Sequence, residues 1–360
     1  MNDLKKIVNN FKGKKIAVVG DIILDKYIFG EVERISPEAP VPVVQVTDEK
    51  YVPGGAANVA CNLIALGAET SLLGITGEDE DRDILLGSAE LLGIDTAGII
   101  TDETRKTIKK TRVIGMNQQL LRIDFEDNEY IESFLENAFM EKLSSLKELN
   151  AVIVSDYAKG VITDGLMQKI KTWCRENSVL LVVDPKPRHK GWYKDVDLIT
   201  PNKLEAHVMS GIHIENEDDY RQAVAGLSKE LETSVVLTAG AGGMYVLNYE
   251  RLENGDRRQG LGDRRKETGD DRLEAEDRRT GPGDRRQRSD VKHIPTIARE
   301  VYDVSGAGDT VVAALTLAIC SGADINMAAE IANHAAGIKV GKLGAAAVSL
   351  QELLDDLGMV

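Results

Sequence analysis

Cysteine is scarce in this chain. Cys61, Cys174 and Cys320 are odd in number, widely spaced and outside any C-x-x-C pair, which excludes a disulfide framework and a cysteine-built zinc site. The five histidines, His189, His207, His213, His293 and His334, form no H-x-x-x-H pair, so that metal motif is missing too. Long apolar runs are also missing. The longest aliphatic stretches, such as 179–183, are far too short to span a bilayer, and the first eleven residues lack the apolar core of a secretory signal. A cytoplasmic protein is expected. Positive charge is in deficit, with 44 Lys+Arg against 59 Asp+Glu and a net charge of −15. That field repels polyanions and argues against a protein that coats nucleic acid or an anionic membrane. Catalysis, if present, must come from carboxylates, glycines and basic side chains.

Apolar residues are plentiful: 42% of 360 residues suffices for one large α/β domain or two small ones and excludes disorder throughout. One segment stands apart. Residues 255–289 read GDRRQGL, GDRRKET, GDDRLEA, EDRRTGP, GDRRQRS, five seven-residue units whose only apolar residues are Leu261, Leu273 and Ala275. A coiled coil needs two apolar positions per unit, so the heptad is not one. With eleven basic and nine acidic side chains and nothing to bury, the segment reads as a disordered, solvated insertion in a β-turn between 243–247 and 293–297. The competing reading is an RNA- or protein-binding arm on a nucleotide-binding scaffold. Interleaved Asp and the lack of stacking aromatics oppose it.

Elsewhere strands and helices alternate. Apolar, β-branched runs at 15–19, 70–75, 151–155, 179–183, 197–200 and 234–238 read as buried parallel strands, and 80–92, 130–147, 163–177 and 217–231 carry helical periodicity. The pattern predicts a doubly wound, mostly parallel α/β sheet with helices on both faces. Two regions, 27–52 and 106–125, alternate apolar with polar residues and read as a small antiparallel sheet placed to serve as a lid.

Three motifs carry chemistry. In 303–310, DVSGAGDT, the small residues Gly306, Ala307 and Gly308 let backbone N–H groups approach a phosphate at a helix N-terminus, and Asp309 can take a proton there. Alone, an Asp in a first helical turn is equally explained by the helix dipole. Gly54-Gly55 and Asn58 precede and open another helix, where a turn and a cap are the plain alternative. Asp21 and Asp25 follow the first strand, where open α/β sheets bind ligands; alone they could equally be loop charges.

Together, Gly54-Gly55-x-x-Asn58 and Asp303-x-x-Gly-Ala-Gly-Asp309 on a chain of this size resemble the two signatures of ribokinase-like, phosphofructokinase-B-type sugar kinases. Residues 20–27, 34–43, 117–125, 155–160 and 340–344 are similar to the D-glycero-β-D-manno-heptose 7-phosphate kinase subgroup. Subgroup members often carry Arg where Met116 stands and usually Gly where Ala158 stands. The resemblance covers the chain apart from 255–289 and implies a single kinase domain over 1–360.

The resemblance implies Asp309 as the base toward an anomeric hydroxyl, and Gly306, Ala307 and Gly308 as the anion hole. It implies ATP and Mg²⁺ and leaves a monovalent cation open. Asn202 and Glu205 match an N-x-x-E element that organises Mg²⁺ indirectly, with both side chains expected on one helix face. Asp184 and Lys186 fall near the nucleotide phosphates, and Thr238, Gly240, Gly243 and Asn333 at the adenosine. Asp21, Asp25, Gly54, Gly55, Asn58, Asn117, Gln118, Asp156 and Lys159 are implied on the sugar side. Lys159, Arg112 and Arg34 are the cations offered to a phosphate already on the sugar. The expected reaction forms the heptose 1,7-bisphosphate. A different sugar or sugar phosphate is the alternative. A homodimer is implied. Many relatives continue into a nucleotidyltransferase domain; none is seen before Val360, nor an H-x-G-H motif, so a separate adenylyltransferase is expected.

Overall fold

A computed structural model describes residues 2–116, 118–249, 252–253, 256–257, 291–297, 301–342 and 346–359. Asn117 and, apart from 256–257, the repeat at 255–289 lie outside the described residues, as does Gly344. The chain starts with α1 (Asn2–Asn9), β1 (Lys15–Gly20), β2 (Ile22–Ile35), β3 (Pro42–Gly55), α2 (Ala56–Ala65), β4 (Glu69–Thr76) and α3 (Glu80–Leu91). It continues with β5 (Asp95–Thr101), β6 (Ile108–Gly115), β7 (Gln118–Phe125), α4 (Ser133–Ser145), β8 (Ala151–Ser155), α5 (Asp164–Glu176) and β9 (Leu180–Asp184). Next come β10 (Leu198–Ile199), α6 (Lys203–Ser210), α7 (Glu217–Leu231), β11 (Ser234–Thr238), β12 (Met244–Leu247), β13 (Leu252–Glu253) and β14 (Asp256–Arg257). The last elements are β15 (Lys292–Ile294), α8 (Ala307–Cys320), α9 (Ile325–Val340) and α10 (Leu350–Met359).

The main sheet has nine strands in the order β15-β12-β11-β10-β9-β8-β1-β4-β5. All neighbours run parallel except β11/β12 and β12/β15. Continuous apolar runs such as Ile16–Val19 are needed because both faces are covered. Alternate residues enter two separate cores. Ile16, Val18, Leu72, Ile153 and Val236 pack with α1, α2, α8 and α9, while Ala17, Val19, Leu73, Val154 and Val235 pack with α4, α5 and α7.

The long hairpin of β2 and β3 begins inside this body, with Ile22, Ile23 and Leu24 buried, and runs outward into a four-stranded sheet, β3-β2-β6-β7. Its pairs are antiparallel except β2/β6, which runs parallel because β6 arrives after the β4-α3-β5 excursion rather than by a tight turn. Strand ends at Gly20, Ser155, Asp184 and Thr238 lie on one edge of the main sheet, the edge at which doubly wound folds bind ligands.

Candidate active site

The site is built around the N-terminus of α8. Gly306, at φ 73°, makes the left-handed turn that starts the helix, and a Cβ there would come within 2.7 Å of Asn58 Nδ2. Both facts demand glycine. Asp309 follows in the first helical turn and is buried. Asn58 Nδ2 donates to its Oδ2 at 2.5 Å, and the Tyr157 hydroxyl donates to its Oδ1 at 3.1 Å. Burial pushes the Asp309 carboxyl up to about 6, against the pull of those two hydrogen bonds. The group is therefore mostly ionised at neutral pH yet a stronger base than a surface carboxylate. Ala307 N donates to Val304 O at 3.2 Å, so one amide of the expected three-residue anion hole is already engaged.

On the side toward the small sheet, Asp25 and Arg112 form an ion pair of 2.5 Å, and Asp25 Oδ2 packs so close to Gly54 that a Cβ there would sit 2.3 Å away. Gly55, at φ 58°, lets the chain turn from β3 into α2, and its amide neighbour Ala56 donates to Asp21 O. Asp25 also contributes to the potential at Asp309, which places it on the same side of the site. Lys159 pairs with Glu126 at 2.7 Å.

Two expected sugar ligands have other partners. Asp21 is wholly buried and accepts the backbone N–H groups of Tyr157, Lys159 and Val161. Burial, then the nearby Asp156, pushes its carboxyl up to about 6. Asp156 is buried as well, accepting Ala158 N on Oδ1 and Tyr193 hydroxyl on Oδ2, with His189 Nδ1 2.6 Å from Oδ2. Both carboxylates shape the 156–161 loop, and with three internal partners each they keep little acceptor capacity for anything else. Gln118 is exposed at the outer end of β7, and Arg34 is exposed near the outer end of β2; neither is brought to Asp309.

On the opposite side lies a largely apolar cavity of about 630 Å³. Asn202, Thr238, Gly240, Gly243 and Asn333 line it together with Ala307 and Gly308, so it opens directly onto the Gly-rich turn. Asn333 Nδ2 donates to Pro295 O at 2.8 Å, which fixes α9 against the cavity wall. Lys186 Nζ reaches Glu205 Oε1 at 2.5 Å. Burial opposes its charge, but Glu205 and Asp184 outweigh this and hold the ammonium above its usual range. Asp184 is pushed well upward by burial, then by Glu205 and Asp309. Asn202 and Glu205 do not share a helix face as expected. Asn202 is the N-cap of α6 and forms a reciprocal capping box with Glu205, whose second oxygen is left for Lys186.

The sequence reading missed Tyr157, His189 and Lys339. Lys339 is buried in the last turn of α9, with its Cε 3.6 Å from the point a Gly306 Cβ would occupy. Burial lowers its pKa against the opposing pull of Asp303 and Asp309. No local motif announces these residues; only Tyr157 sits in one of the family-like strings, 155–160.

The profile of the pfkB family carbohydrate kinases matches residues 13–259 and 286–352. The chain is 38% identical over 343 residues to the bifunctional protein HldE of Geobacter sulfurreducens, covering 95% of this chain and 62% of that protein. It is 38% identical over 344 residues to HldE of Helicobacter hepaticus, covering 95% and 64%. The chain thus spans less than two thirds of the length of these relatives. Among solved structures, Arabidopsis thaliana ribokinase complexed with ribose and ATP matches with a TM-score of 0.66 at 17% identity, covering 96% of this chain and 99% of that one. Escherichia coli phosphofructokinase-2 in complex with substrates and products matches with a TM-score of 0.71 at 15% identity, covering 96% and 99%. A Gly-rich helix start carrying a buried carboxylate, an apolar cavity beside it and a profile match over most of the sequence agree: the chain belongs to the pfkB family of carbohydrate kinases.

Proposed function

We propose that the chain transfers the γ-phosphoryl group of ATP to O1 of D-glycero-β-D-manno-heptose 7-phosphate, giving the 1,7-bisphosphate that feeds ADP-heptose and lipopolysaccharide core synthesis. The observation that carries a kinase reading is the position of Asp309, between the apolar cavity and the Asp25–Arg112 pair. In this reading the cavity takes the adenosine and the sugar lies under the small sheet. Asp309 accepts the proton of the anomeric hydroxyl, which is more acidic than an ordinary alcohol, so one carboxylate suffices. The first-turn amides of α8 and the buried Lys339 hold the charge on the transferred phosphoryl group. The four-stranded sheet acts as a lid that keeps water from the phosphoryl group.

The donor set fits MgATP. Among the described residues no three His, Cys, Asp or Glu side chains cluster as a metal cage, which suits an ion held mainly by phosphate oxygens and water. Glu205, with Asp184 near it, would order that water, and Lys186 would meet the phosphates. Mg²⁺ supplies neutralisation of the developing phosphate charge.

The specific sugar rests on the likeness of 20–27, 34–43, 117–125 and 155–160 to heptose phosphate kinases and on the HldE relatives. No described helix is long and apolar enough to cross a membrane, which suits a kinase acting in the cytoplasm. Exposed Leu120, Leu121, Ile123 and Phe125 on β7 support a homodimer paired through the lid sheet. ADP release measured over a panel of sugars tests the reading. Turnover on the heptose 7-phosphate is expected; turnover on ribose or fructose 6-phosphate with none on the heptose phosphate overturns it.

A further inference from the structure

His189 is buried where three segments of the chain meet. It belongs to the 3₁₀ turn Pro187–Tyr193 after β9, and its ring lies 3.9 Å from that of Trp192 and nearly parallel to it, which fixes the plane of the imidazole. Its Nδ1 is 2.6 Å from Asp156 Oδ2, and its Nε2 is 2.9 Å from the Tyr130 hydroxyl. An ionised carboxylate only accepts, so Nδ1 carries a hydrogen; in the neutral ring Nε2 then accepts the Tyr130 O–H.

Each partner leads to a different part of the site. Tyr130 lies in the connection from β7 to α4, the segment on which the small sheet ends, next to Ile131, whose N–H donates to Gly160 O at 3.0 Å. Gly160, at φ 95°, is seated so closely on that segment that Glu129 O leaves no room for a Cβ. Asp156 Oδ1 accepts the N–H of Ala158 at 2.7 Å, which closes a turn around Tyr157, the residue whose hydroxyl reaches Asp309. Asp156 Oδ2 also accepts the Tyr193 hydroxyl, whose oxygen receives the N–H of Lys186 at 3.0 Å. One imidazole therefore joins the exit of the small sheet to the carboxylate that shapes the loop beside Asp309.

A buried histidine with both nitrogens paired is commonly an ordinary part of a core. Two features set this one apart. Asp156 acts on the same loop as the buried Asp21, and burying two carboxylates against one turn costs stability that an apolar core would not. Tyr157 also follows Asp156 directly in the chain, so a rotation of Asp156 that released the Ala158 amide would carry the tyrosine away from Asp309.

We propose that His189 is a positioning residue: through Asp156 it holds the 156–161 turn in the form that places the Tyr157 hydroxyl on Asp309, and through Tyr130 it makes that form depend on the seating of the small sheet. The effect on rate rests on the kinase reading above; the coupling between the two segments does not.

Wild type, His189→Leu, Tyr157→Phe and the double variant form a cycle, and His189→Asn, whose side-chain amide keeps a donor toward Asp156, is the conservative replacement. His189→Leu is expected to lower kcat about 10-fold with KM for ATP within about two-fold, and to cost little more once Tyr157 is phenylalanine. His189→Asn is expected to recover most of the loss. Losses that multiply in the double variant, or no recovery in a His189→Asn protein that melts like the wild type, make His189 a packing residue and overturn the proposal. Amide hydrogen exchange without substrate follows segments 126–132 and 156–161 in the wild type, His189→Leu and Tyr130→Phe. Both segments are expected to lose protection together in both variants. Faster exchange confined to 126–132 in Tyr130→Phe overturns the coupling, and this variant, which removes one hydroxyl, decides the matter should His189→Leu not fold. If the wild type phosphorylates no sugar while the two segments still open together, the kinase reading falls and the coupling is supported.

Discussion

The phenol of Tyr157 and the carboxylate of Asp309, 152 residues apart in the chain, meet at 3.1 Å, and Lys186 Nζ lies 5.2 Å from the centre of the same tyrosine ring. Tyr157 thus touches the carboxylate proposed as the base with its hydroxyl and the Lys186 ammonium with its face. Its backbone N–H is fixed by Asp21, so the ring is placed by a buried carboxylate and not by chance packing. Tyr157→Phe keeps the ring and the cation contact and removes one donor to Asp309. A donor to the ionised form lowers a carboxyl pKa, so its loss raises that of Asp309. Other charges and titratable groups facing Asp309 are Asp25 on β2, Cys61 on α2, Asp184 and Lys186 at β9, and Lys339 on α9; all stay in place in the variant. The acid limb of the kcat/KM profile is expected to move up by about one pH unit, with kcat down roughly 10-fold. A uniform fall in rate without that shift would make Tyr157 a packing residue only.

Asp309 should cost the protein stability. Burial pushes its carboxyl up to about 6 in the folded protein, against 3.8 for a free aspartate side chain, so above pH 6 the fold holds an anion it disfavours. As pH falls from 6 toward 4, the folded state gains a proton that the unfolded state does not yet bind, and the penalty is relieved. Asp309→Asn is therefore expected to abolish turnover, retain nucleotide binding and stabilise the fold by about 1–3 kcal/mol at pH 7.5. Thermal unfolding at several pH values checks this, since the gain must shrink toward pH 4. A variant that melts lower than the wild type at pH 7.5 would contradict the burial argument, and one with substantial remaining turnover would remove Asp309 from the base role.

Ala158 holds φ 55°, a left-handed backbone that a Cβ disfavours by about 1–2 kcal/mol. The turn persists because Ala158 N donates to Asp156 Oδ1 at 2.7 Å and because Asp21 binds the amides on either side. Glycine, usual here in the similar subgroup, takes this conformation without strain. Ala158→Gly is expected to raise the unfolding free energy by about 1 kcal/mol, less the extra chain entropy of glycine. Denaturant unfolding should show a higher midpoint at an unchanged slope.

The sequence was most readable where short-range physics decides. Both-face burial forced runs such as 15–19 and 151–155 to be apolar, and a helix opening on Gly306-Ala307-Gly308 admits few other uses. It was least readable where a side chain's partner lies far along the chain. Asp21 and Asp25 look alike in the string GDIILD, yet one is sealed by three backbone amides and the other pairs with Arg112, which no local spacing encodes. Tyr157, His189 and Lys339 carry ordinary neighbours and gain meaning only when β8, the loop after β9 and α9 converge. The parallel β2/β6 pair was hidden for the same reason, since alternation gives a strand's faces but not its partner's direction.

The repeat offers the last test. β12 and β15 are antiparallel neighbours, with Val246 opposite Lys292, so the chain leaves the sheet edge and returns to it at one place. In the proposed reading residues 1–360 are one kinase domain with lid strands in 27–52 and 106–125, interrupted at this turn by 255–289. A short turn in place of 255–289 can therefore close the two strands without moving Asn333, Gly243 or the cavity they line. Loop closure depends only weakly on length, about 0.6 kcal/mol per doubling, so the shortened chain should melt within a few degrees of the full one. Turnover on the sugar phosphate is expected to be unchanged. Loss of turnover with the fold intact would bring the repeat into the catalytic machinery. Loss of RNA binding, in a chain that phosphorylates no sugar, would replace the kinase with a scaffold that works through this arm.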